Sequence, residues 1–233
     1  MTFDLDWAND GVFEDFLDLI ESKGITGTLH VTHKTELLKR AGQLLELGIH
    51  PNFNKLLCGE DHFNSYLTVM KEIKEIVPNA VSLRSHALTN SSIITAKYAD
   101  FGIKYDLNTL IPAYNGLRIR PYRAPVNGNV LSLPFIFEDD IYLGQSDKRK
   151  AEYYLSDEFD APRIFNFHPI HLFLNTDTLA TYEKARPYFG DYNRLKQYVN
   201  TERYGIRDFF CDLVGCAKEA GYSFQTIREG RWE

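Results

Sequence analysis

TFDLDW, residues 2–7, is an apolar, strand-like segment that carries two carboxylates, Asp4 and Asp6. Aspartate is unfavourable in strands and costs free energy to bury without a partner. Because alternate side chains of a strand point to the same side, we expect Asp4 and Asp6 to share one site and Leu5 to pack on the opposite side. A bound metal ion explains the pair, since one carboxylate can ligate the cation while the other takes a proton from metal-bound water.

The segments that follow this strand alternate between strand and helix patterns. Strands are predicted at residues 25–33, 47–50, 80–86, 103–109, 163–175 and 221–227, and helices at 10–24, 34–47, 63–77 and 90–102. Residues 116–144 predict further strands or a hairpin between Pro and Gly turns, and two helical segments precede the last strand. Repeated βαβα units indicate a parallel sheet covered by helices. We find no linker and no repeat, so residues 1–233 are expected to form a single, barrel-like α/β catalytic domain.

The composition is that of an ordinary globular protein. Of 233 residues 44% are hydrophobic and 25% charged, and the formal net charge is -6, which argues against a nucleic-acid partner. Cys58, Cys211 and Cys216 are odd in number and lack a CxxC spacing, which argues against a disulfide framework and favours a reducing compartment. No apolar run approaches the roughly 20 residues of a membrane span, and the N-terminus lacks signal-peptide features. We therefore expect a cytoplasmic protein without a membrane span.

Most histidines follow predicted strands. Five of the seven lie at strand ends, namely His33, His50, His86, His168 and His171. His30 lies inside a strand, where packing is its expected role, and His62 heads a helix. A single histidine at a strand end is more often a hydrogen-bonded structural residue than a ligand. Taken together, these histidines favour a functional site, because the carboxyl ends of parallel strands converge. Asp and His residues gathered there can supply the ligands of a catalytic zinc ion.

With these residues assembled, the chain resembles the polysaccharide deacetylase superfamily (NodB homology, carbohydrate esterases). More narrowly, it is similar to the WbmS-like group, which is associated with bacterial surface-polysaccharide gene clusters. The segments that carry the resemblance are TFDLDWAND (2–10), GTLHVTHKTELL (27–38), LELGIHPNFN (45–54), SLRSH (82–86), LPFIFEDD (133–140) and FNFHPIHLFLNT (165–176). The resemblance implies a distorted (β/α) barrel of about seven parallel strands.

The motifs of the superfamily match individual residues of this chain. Its first motif carries a base Asp followed by a metal-ligating Asp, which matches Asp4 and Asp6, although Leu5 separates them here. Its second motif supplies histidine ligands after a strand end and matches His50. Its third motif begins with an Arg that orients the base, which matches Arg84, and a late strand presents a general-acid His, which matches His168.

Two motifs depart from the pattern of the superfamily. The usual H-x-x-x-H becomes HPNFN (50–54), so that Asn54 stands in the second histidine position. The usual R-x-P-x-G becomes RSHAL (84–88), which offers His86 as a replacement ligand. We therefore expect a divalent metal ion, Zn²⁺ before others, on Asp6, His50 and His86.

The chemistry that the resemblance implies is hydrolysis of an N-acetyl or O-acetyl group on a sugar or sugar precursor in surface-polysaccharide biosynthesis. Asp4 would act as base with Arg84 orienting it, and His168 would protonate the leaving amine. The expected substrate-binding or orienting residues are Asn54, His33, His171 and Asp139, with Tyr114 or a neighbouring aromatic residue stacking on the sugar. A cytoplasmic enzyme would meet a nucleotide-linked or lipid-linked sugar, and the oligomeric state stays open.

Two other functions remain open at this point. DLDWA (4–8) and FEDD (137–140) also resemble the acidic motifs of Mg²⁺-dependent phosphatases of the haloacid-dehalogenase type. That hypothesis leaves the strand-end histidines without a role, and Trp7 stands where those enzymes have Thr or Val. The altered second motif also fits a carbohydrate-binding protein that kept a deacetylase fold and lost turnover.

Overall fold

The architecture is a single curled sheet covered by helices, in a computed structural model that describes residues 1–57, 59, 65–124 and 126–232. The nine strands found there are Thr2–Asp4 (β1), Thr28–Val31 (β2), Glu46–Ile49 (β3), Ser82–Leu83 (β4), Tyr105–Asp106 (β5), Tyr122–Ala124 (β6), Asn127–Ser132 (β7), Phe137–Glu138 (β8) and Phe165–Phe167 (β9). Their order is β6-β7-β5-β4-β3-β2-β1-β9-β8. Every neighbouring pair is parallel except the β6–β7 hairpin. Cys58 and His62 lie outside the described residues.

The two ends of the sheet meet along one stretch of chain, residues 127–138. The Phe135 N–H donates to the Thr109 carbonyl just beyond β5, at 3.0 Å. The next N–H, that of Ile136, donates to the Ile164 carbonyl just before β9, at 3.1 Å. This closure confirms the predicted barrel-like α/β fold, with eight mutually parallel strands among the described residues where about seven were expected.

Ten α-helices connect and cover the strands within the described residues. They are Asp10–Lys23 (α1), Leu38–Leu44 (α2), Asn54–Leu57 (α3), Tyr66–Ile76 (α4), Ser92–Thr95 (α5), Asp139–Gly144 (α6), Pro169–Leu174 (α7), Leu179–Ala185 (α8), Tyr192–Leu195 (α9) and Ile206–Glu219 (α10). None of these helices has the length and apolar character that crossing a bilayer requires.

Aromatic packing fixes the strands that carry the polar residues. The Phe3 ring on β1 meets Phe16 of α1 edge-on at 4.8 Å between ring centroids. Phe137 on β8 stacks on Phe209 of α10 at 4.9 Å. These side chains are at most 3% exposed, and burying each contributes about 1.5–3 kcal/mol to the free energy of unfolding. Helices α1 and α10 therefore anchor the outer face of the barrel.

The inner face of the barrel is polar. Because Phe3 points outward to the helices, its neighbours Thr2 and Asp4 point inward. His30 on β2 is the register partner of Asp4, and Asn166 on β9 is the partner of Thr2. All five side chains are buried. His30 therefore contributes a polar group to the barrel interior, and the prediction that it serves only packing is wrong.

Three segments predicted as strands have other structures. In residues 163–175 the strand stops at Phe167, because Pro169 begins α7 with a backbone already suited to the first helical turn. Residues 139–144 form α6, whose first turn carries Asp139 and Asp140, where negative charge is favourable. Residues 221–227 form no strand, and the N–H of Ile227 bonds the Thr28 hydroxyl at 2.9 Å instead of joining a ladder.

Replacing Gly48 on β3 with alanine tests this packing of the interior. A Cβ there would lie 2.5 Å from the Ser82 hydroxyl oxygen and 2.6 Å from Cδ2 of His30, both buried. We expect Gly48→Ala to lower the free energy of unfolding by about 1–3 kcal/mol in urea denaturation. Gly215→Ala is the control, since nothing lies within 4 Å and alanine favours the α10 helix by about 1 kcal/mol. A Gly48→Ala protein as stable as the parent would contradict the packing described.

Candidate active site

Asp4 ends β1, and neighbours contact both of its carboxylate oxygens. Its Oδ1 lies 3.1 Å from His30 Nδ1 and accepts a hydrogen bond of 3.2 Å from Arg84 Nη1. Its Oδ2 accepts one of 2.8 Å from Asn166 Nδ2. Burial alone would raise the pKa of Asp4, but the Arg84 guanidinium and the nearby His50 hold it well below its usual range. Asp4 is therefore an ionised carboxylate held in one orientation.

Arg84 follows β4 and crosses the barrel interior to reach β1. It is completely buried, and its guanidinium lies 4.2 Å from the centroid of the Phe135 ring. Its Nε donates to the Leu107 carbonyl at 3.1 Å, and its Nη1 donates to the Thr2 hydroxyl at 3.0 Å as well as to Asp4. These contacts fix the cation that faces Asp4.

Asp6 lies in a turn just beyond β1. The backbone is left-handed there, with φ of 42° at Asp6 and 54° at Trp7, a conformation that is strained for residues other than glycine and concentrates at functional sites. Asp4 and Asp6 thus do not share a strand face as expected. The turn nevertheless brings Asp6 Oδ1 to 3.0 Å from His50 Nε2 and 3.1 Å from His86 Nδ1.

Three groups of side chains in the described part of the chain could hold a metal ion, with one ligand atom from each residue within 4.8 Å of the others. They are Asp6, His50 and His86; Asp4, Glu138 and His168; and Asp139, Asp140, His168 and His171. The first of these groups is called the metal-ligand cluster below. His50 is buried, yet neither of its ring nitrogens has a hydrogen-bond partner among the described residues. Its short distance to Asp6 is therefore not a hydrogen bond, and such unpartnered buried nitrogens are unfavourable. A cation shared by the three side chains would take one of these nitrogens as a ligand. Two imidazoles and one carboxylate are a common ligand set of catalytic zinc, so these residues fit a divalent metal ion.

Electrostatics at this cluster favour the charged carboxylate. Burial opposes ionisation of Asp6, but contacts with His50 and His86 hold its pKa well below the usual range. The contact with Asp6 in turn raises the pKa of His86, against the effect of burial.

His168 follows β9 and faces the same place. Asp139 Oδ1 lies 2.6 Å from Nδ1 of His168, and Asp139 Oδ2 accepts a hydrogen bond of 2.7 Å from the backbone N–H of His168. The free Nε2 lies 3.5 Å from Asp6 Oδ2 and 4.0 Å from Asp4 Oδ2. Burial favours the neutral ring, but Asp139 and Asp140 hold the pKa of His168 well above its ordinary value. These contacts therefore favour the protonated ring, whose Nε2 faces the two aspartates.

His171 lies inside α7 and not at a strand end, and its ring meets the His168 ring edge-on at 5.9 Å between centroids. Its Nε2 is 2.5 Å from Asp140 Oδ1, and its Nδ1 is 3.0 Å from the Thr176 hydroxyl. The other oxygen of Asp140 is 3.9 Å from His168 Nε2. Although burial opposes it, His168 and His171 lower the pKa of Asp140 to about 2. Asp140 is a carboxylate at neutral pH.

The structure does not bring Asn54 and His33 into these clusters. Asn54 begins α3, and its side-chain oxygen accepts a hydrogen bond of 3.2 Å from the Thr89 hydroxyl. Nδ1 of His33 lies 2.9 Å from the neighbouring Thr32 hydroxyl. Asn54 occupies the position of the second motif histidine and His33 follows a predicted strand, but both side chains make their hydrogen bonds outside these clusters.

Three residues at the site were missed by the sequence analysis. His30 and Asn166 contact Asp4, and Asn166 also donates to Glu138 Oε1 at 3.2 Å. Burial raises the pKa of Glu138 to about 7. The sequence held a signal for Asn166, which lies two residues before His168. The same i, i+2 spacing was the reason for pairing Asp4 with Asp6. His30 needed the β1–β2 register, which the sequence does not specify.

One cavity of about 260 Å³ lies at the carboxyl end of the strands, and its polar lining consists of Asp4, Asp6, His50, His86, Glu138, Asp140 and His168. Ser85, Ala87, Leu88 and Ile141 complete its walls. The backbone of Ala87 and Leu88 is left-handed, as it is at Asp6. The cavity therefore combines a carboxylate, an imidazolium and a set of metal-ligand atoms in a shape open to a small substrate.

A family model and a solved structure both match this chain to one family. A model of WbmS-like polysaccharide deacetylases matches residues 1–186. A solved structure from Bordetella bronchiseptica, described as a candidate polysaccharide deacetylase (WbmS) involved in O-antigen biosynthesis, is 34% identical with a TM-score of 0.83. The alignment covers 92% of this chain and 88% of that chain. A search of curated proteins found no match.

Two other solved structures are more distant. A candidate polysaccharide deacetylase from Mycobacterium smegmatis is 14% identical with a TM-score of 0.48, covering 99% of this chain and 93% of that chain. A 4-alpha-glucanotransferase from Thermococcus litoralis is 10% identical with a TM-score of 0.54, covering 98% of this chain and 38% of that chain. The likeness to the glucanotransferase concerns the fold alone.

Replacing the buried Arg84 with an uncharged residue should lower the stability of the protein. We expect Arg84→Met to lower the free energy of unfolding by about 3–5 kcal/mol in urea, because Asp4 then stays buried without its cation. Arg118→Met is the matched control, since the Arg118 side chain is 81% exposed, and its denaturation midpoint should equal that of the parent. Equal stability of Arg84→Met and Arg118→Met would show that the buried pair does not hold the barrel together.

Proposed function

The chain belongs to the WbmS-like polysaccharide deacetylase family, and from this premise we propose that it hydrolyses an N-acetyl or O-acetyl group on a sugar or sugar precursor. The observation that carries the proposal is the meeting of an ionised Asp4, a protonated His168 and a metal-ligand cluster at one cavity. Acyl hydrolysis needs a base, an acid and a means of polarising the carbonyl group. The base lies at the end of β1, the acid follows β9, and the proposed metal ligands follow β1, β3 and β4.

We assign the metal ion to Asp6, His50 and His86, with Zn²⁺ as the first choice. Support comes from the unpartnered nitrogens of His50 and from the mixed nitrogen and oxygen donor set. An ion held there would polarise the acyl carbonyl and lower the pKa of a bound water. His86 then supplies the ligand that the family pattern places at position 54, where this chain has Asn54 turned to Thr89.

Asp4 is the proposed base that takes a proton from the attacking water. Its carboxylate is anionic and held by Arg84, Asn166 and His30, so it neither rotates nor needs to lose a proton first. Arg84 and Asn166 act through Asp4, which makes them positioning residues. Holding the base in the reacting orientation lowers the entropic part of the barrier.

His168 is the proposed acid that protonates the leaving amine or alcohol. Its Nδ1 is engaged by Asp139, so the proton available to the substrate is the one on Nε2, which faces Asp6 and Asp4. Asp139 fixes the ring and favours its protonated form. The acid and the base therefore approach the same point from β9 and β1.

The relative from Bordetella bronchiseptica suggests the biological setting. That protein is described as involved in O-antigen biosynthesis, and we propose a comparable surface-polysaccharide role here. We further propose that this chain acts in the cytoplasm on a nucleotide-linked or lipid-linked sugar.

The phosphatase alternative is disfavoured by the surroundings of Asp139. That hypothesis requires Asp139 and Asp140 to act as a late acidic pair that binds Mg²⁺. Asp139 contacts His168 through both oxygens and Asp140 contacts His171, so any ion held there would also meet two histidines, which the phosphatase hypothesis leaves without a role. The family match adds to this argument.

Metal content tests the ligand assignment. We expect the parent protein to retain close to one zinc or other transition-metal ion per chain, measured by plasma mass spectrometry after gentle purification. Asp6→Ala and His50→Ala should each lose it, because two ligands hold such an ion much less tightly than three. His33→Ala is the matched control and should keep the metal, since His33 lies outside the cluster. Metal retained in both ligand variants would refute the assignment.

Kinetics of acetyl release test the roles of Asp4 and His168. We expect Asp4→Asn and His168→Gln to lower kcat by about 10²–10⁴-fold with the metal content unchanged, because each removes one proton-transfer group. The substrates are 4-nitrophenyl acetate and a panel of N- and O-acetylated sugars, with acetate release as readout. A metal-loaded parent that binds sugars and releases no acetate would instead support a carbohydrate-binding protein.

A further inference from the structure

A groove of about 950 Å³ lies at the opposite end of the barrel from the catalytic cavity. Its walls include Lys104 and Tyr105, where β5 begins, whereas the catalytic cavity lies where the strands end. In the described part of the chain the groove and the catalytic cavity have no lining residue in common. Pockets that hold small-molecule ligands usually measure roughly 300–1,000 Å³, so the groove is large enough for such a ligand.

We propose that this groove binds a nucleoside diphosphate, with the phosphates on Lys104, Arg123 and Arg231 and the base against Trp232 and Tyr105. The inference goes beyond the proposed acetyl hydrolysis and does not depend on it. It is carried by the positive charge of the groove, by its aromatic wall and by the narrow extent of the positive surface.

The charge of the groove comes from Lys104, Arg123 and Arg231, all exposed to solvent. None of the three forms an ion pair with another described residue, and no described acidic side chain lines the groove. This is unusual in a chain of net charge -6. A nucleoside diphosphate carries about -3 at neutral pH, because its terminal phosphate ionises a second time with a pKa near 6. Three free cations therefore match its charge and supply charge-assisted hydrogen bonds.

The aromatic wall of the groove is held in place by the backbone. Nε1 of Trp232 donates to the Ile227 carbonyl at 2.7 Å, and a Cβ added at Gly230 would collide with Cζ2 of the same ring. Tyr105, which is half-buried, lines the groove as well. Fixed aromatic rings beside cations form a stacking surface that accepts any nucleobase. The groove therefore fits a nucleotide better than an inorganic diphosphate.

The positive surface does not extend beyond the groove along the preceding chain. Arg118 and Arg120 come shortly before Arg123, but they lie 3.8 Å and 2.5 Å from the carboxylate oxygens of Asp160. A nucleic-acid strand or an anionic membrane is held by an extended set of free cations. A concave groove with three such cations therefore favours a single small anion.

The floor of the groove rests on the apolar cluster that supports Arg84. Tyr105 and Trp232 pack against this cluster, which contains Leu107 and Phe135. The Arg84 guanidinium lies 4.2 Å from the centroid of the Phe135 ring, and its Nε donates to the Leu107 carbonyl at 3.1 Å. A ligand in the groove thus contacts the far side of this cluster. Because it binds the folded state, it should raise the thermal unfolding midpoint.

Fluorescence of Trp232 tests the proposal. The chain has two tryptophans, so a Trp7→Phe background leaves Trp232 as the single reporter. UDP and ADP should quench it, and pyrophosphate and uridine should each bind about tenfold more weakly than UDP, because each lacks one half of the contacts. Lys104→Met and Arg123→Met should each weaken UDP binding about tenfold. Lys184→Met, which removes an exposed cation on α8, is the matched control and should bind UDP as the parent does.

The Asp6→Ala variant distinguishes the groove from the catalytic cavity, and it should bind UDP as tightly as the parent. Binding lost in Asp6→Ala and kept in Lys104→Met would place the nucleotide in the catalytic cavity and overturn the proposal. No quenching at about 1 mM UDP or ADP, or equal affinity for pyrophosphate and UDP, would overturn it as well. So would tighter binding to a decauridylate, or to vesicles of equal parts phosphatidylcholine and phosphatidylserine.

Turnover of 4-nitrophenyl acetate separates this proposal from the proposed deacetylase function. It should be equal in the parent and in Lys104→Met, because Lys104 lies outside the catalytic cavity. A protein that binds UDP through Lys104 and releases no acetate from any substrate would keep the nucleotide site and overturn the deacetylase function.

Discussion

The buried contact between Arg84 and Asp4 is the interaction on which the rest of the structure depends. Arg84 leaves β4 and meets Asp4 at the end of β1, with β2 and β3 between them in the sheet. Such a contact spans the interior of a curled sheet and is out of reach in a flat one. Burying two charges is unfavourable unless further hydrogen bonds compensate, and here the Thr2 hydroxyl and the Leu107 carbonyl provide them. The same contact therefore depends on the curvature of the barrel and fixes the orientation of the proposed base.

Two strained turns position the proposed metal ligands around that fixed carboxylate. One includes Asp6 and Trp7, the other Ala87 and Leu88, and all four have a left-handed backbone. The turns support each other, because the Trp7 ring packs edge-on against His86 at 5.0 Å between centroids. Strain of this kind persists only where surrounding contacts determine the conformation, and it is concentrated at binding and catalytic sites. A chain without the usual second histidine at position 54 can in this way place His86 beside Asp6.

The sequence predicted the features of the fold that depend on local residue patterns. It missed the site residues whose positions depend on tertiary contacts. Alternating strand and helix periods predicted the α/β barrel, and the apolar run before His168 predicted the strand that this residue follows. His171 was placed at a strand end because the apolar run around Pro169 hides the start of α7. His30 and Asn166 depend on which residues pair across β1, β2 and β9, and register is set by packing that one sequence does not reveal. The departure of Asn54 from the cluster likewise follows from its contact with Thr89, not from spacing.

The most direct test of the account is anomalous diffraction from crystals of the zinc-loaded protein, collected on both sides of the zinc absorption edge. We predict one anomalous peak in contact with Asp6, His50 and His86, with Asp4 beside it, still bound by Arg84 and not ligating the metal. A peak on the Asp140–His171 pair, or no peak at full zinc loading, would contradict the account, because the unpartnered nitrogens of His50 would then have another explanation.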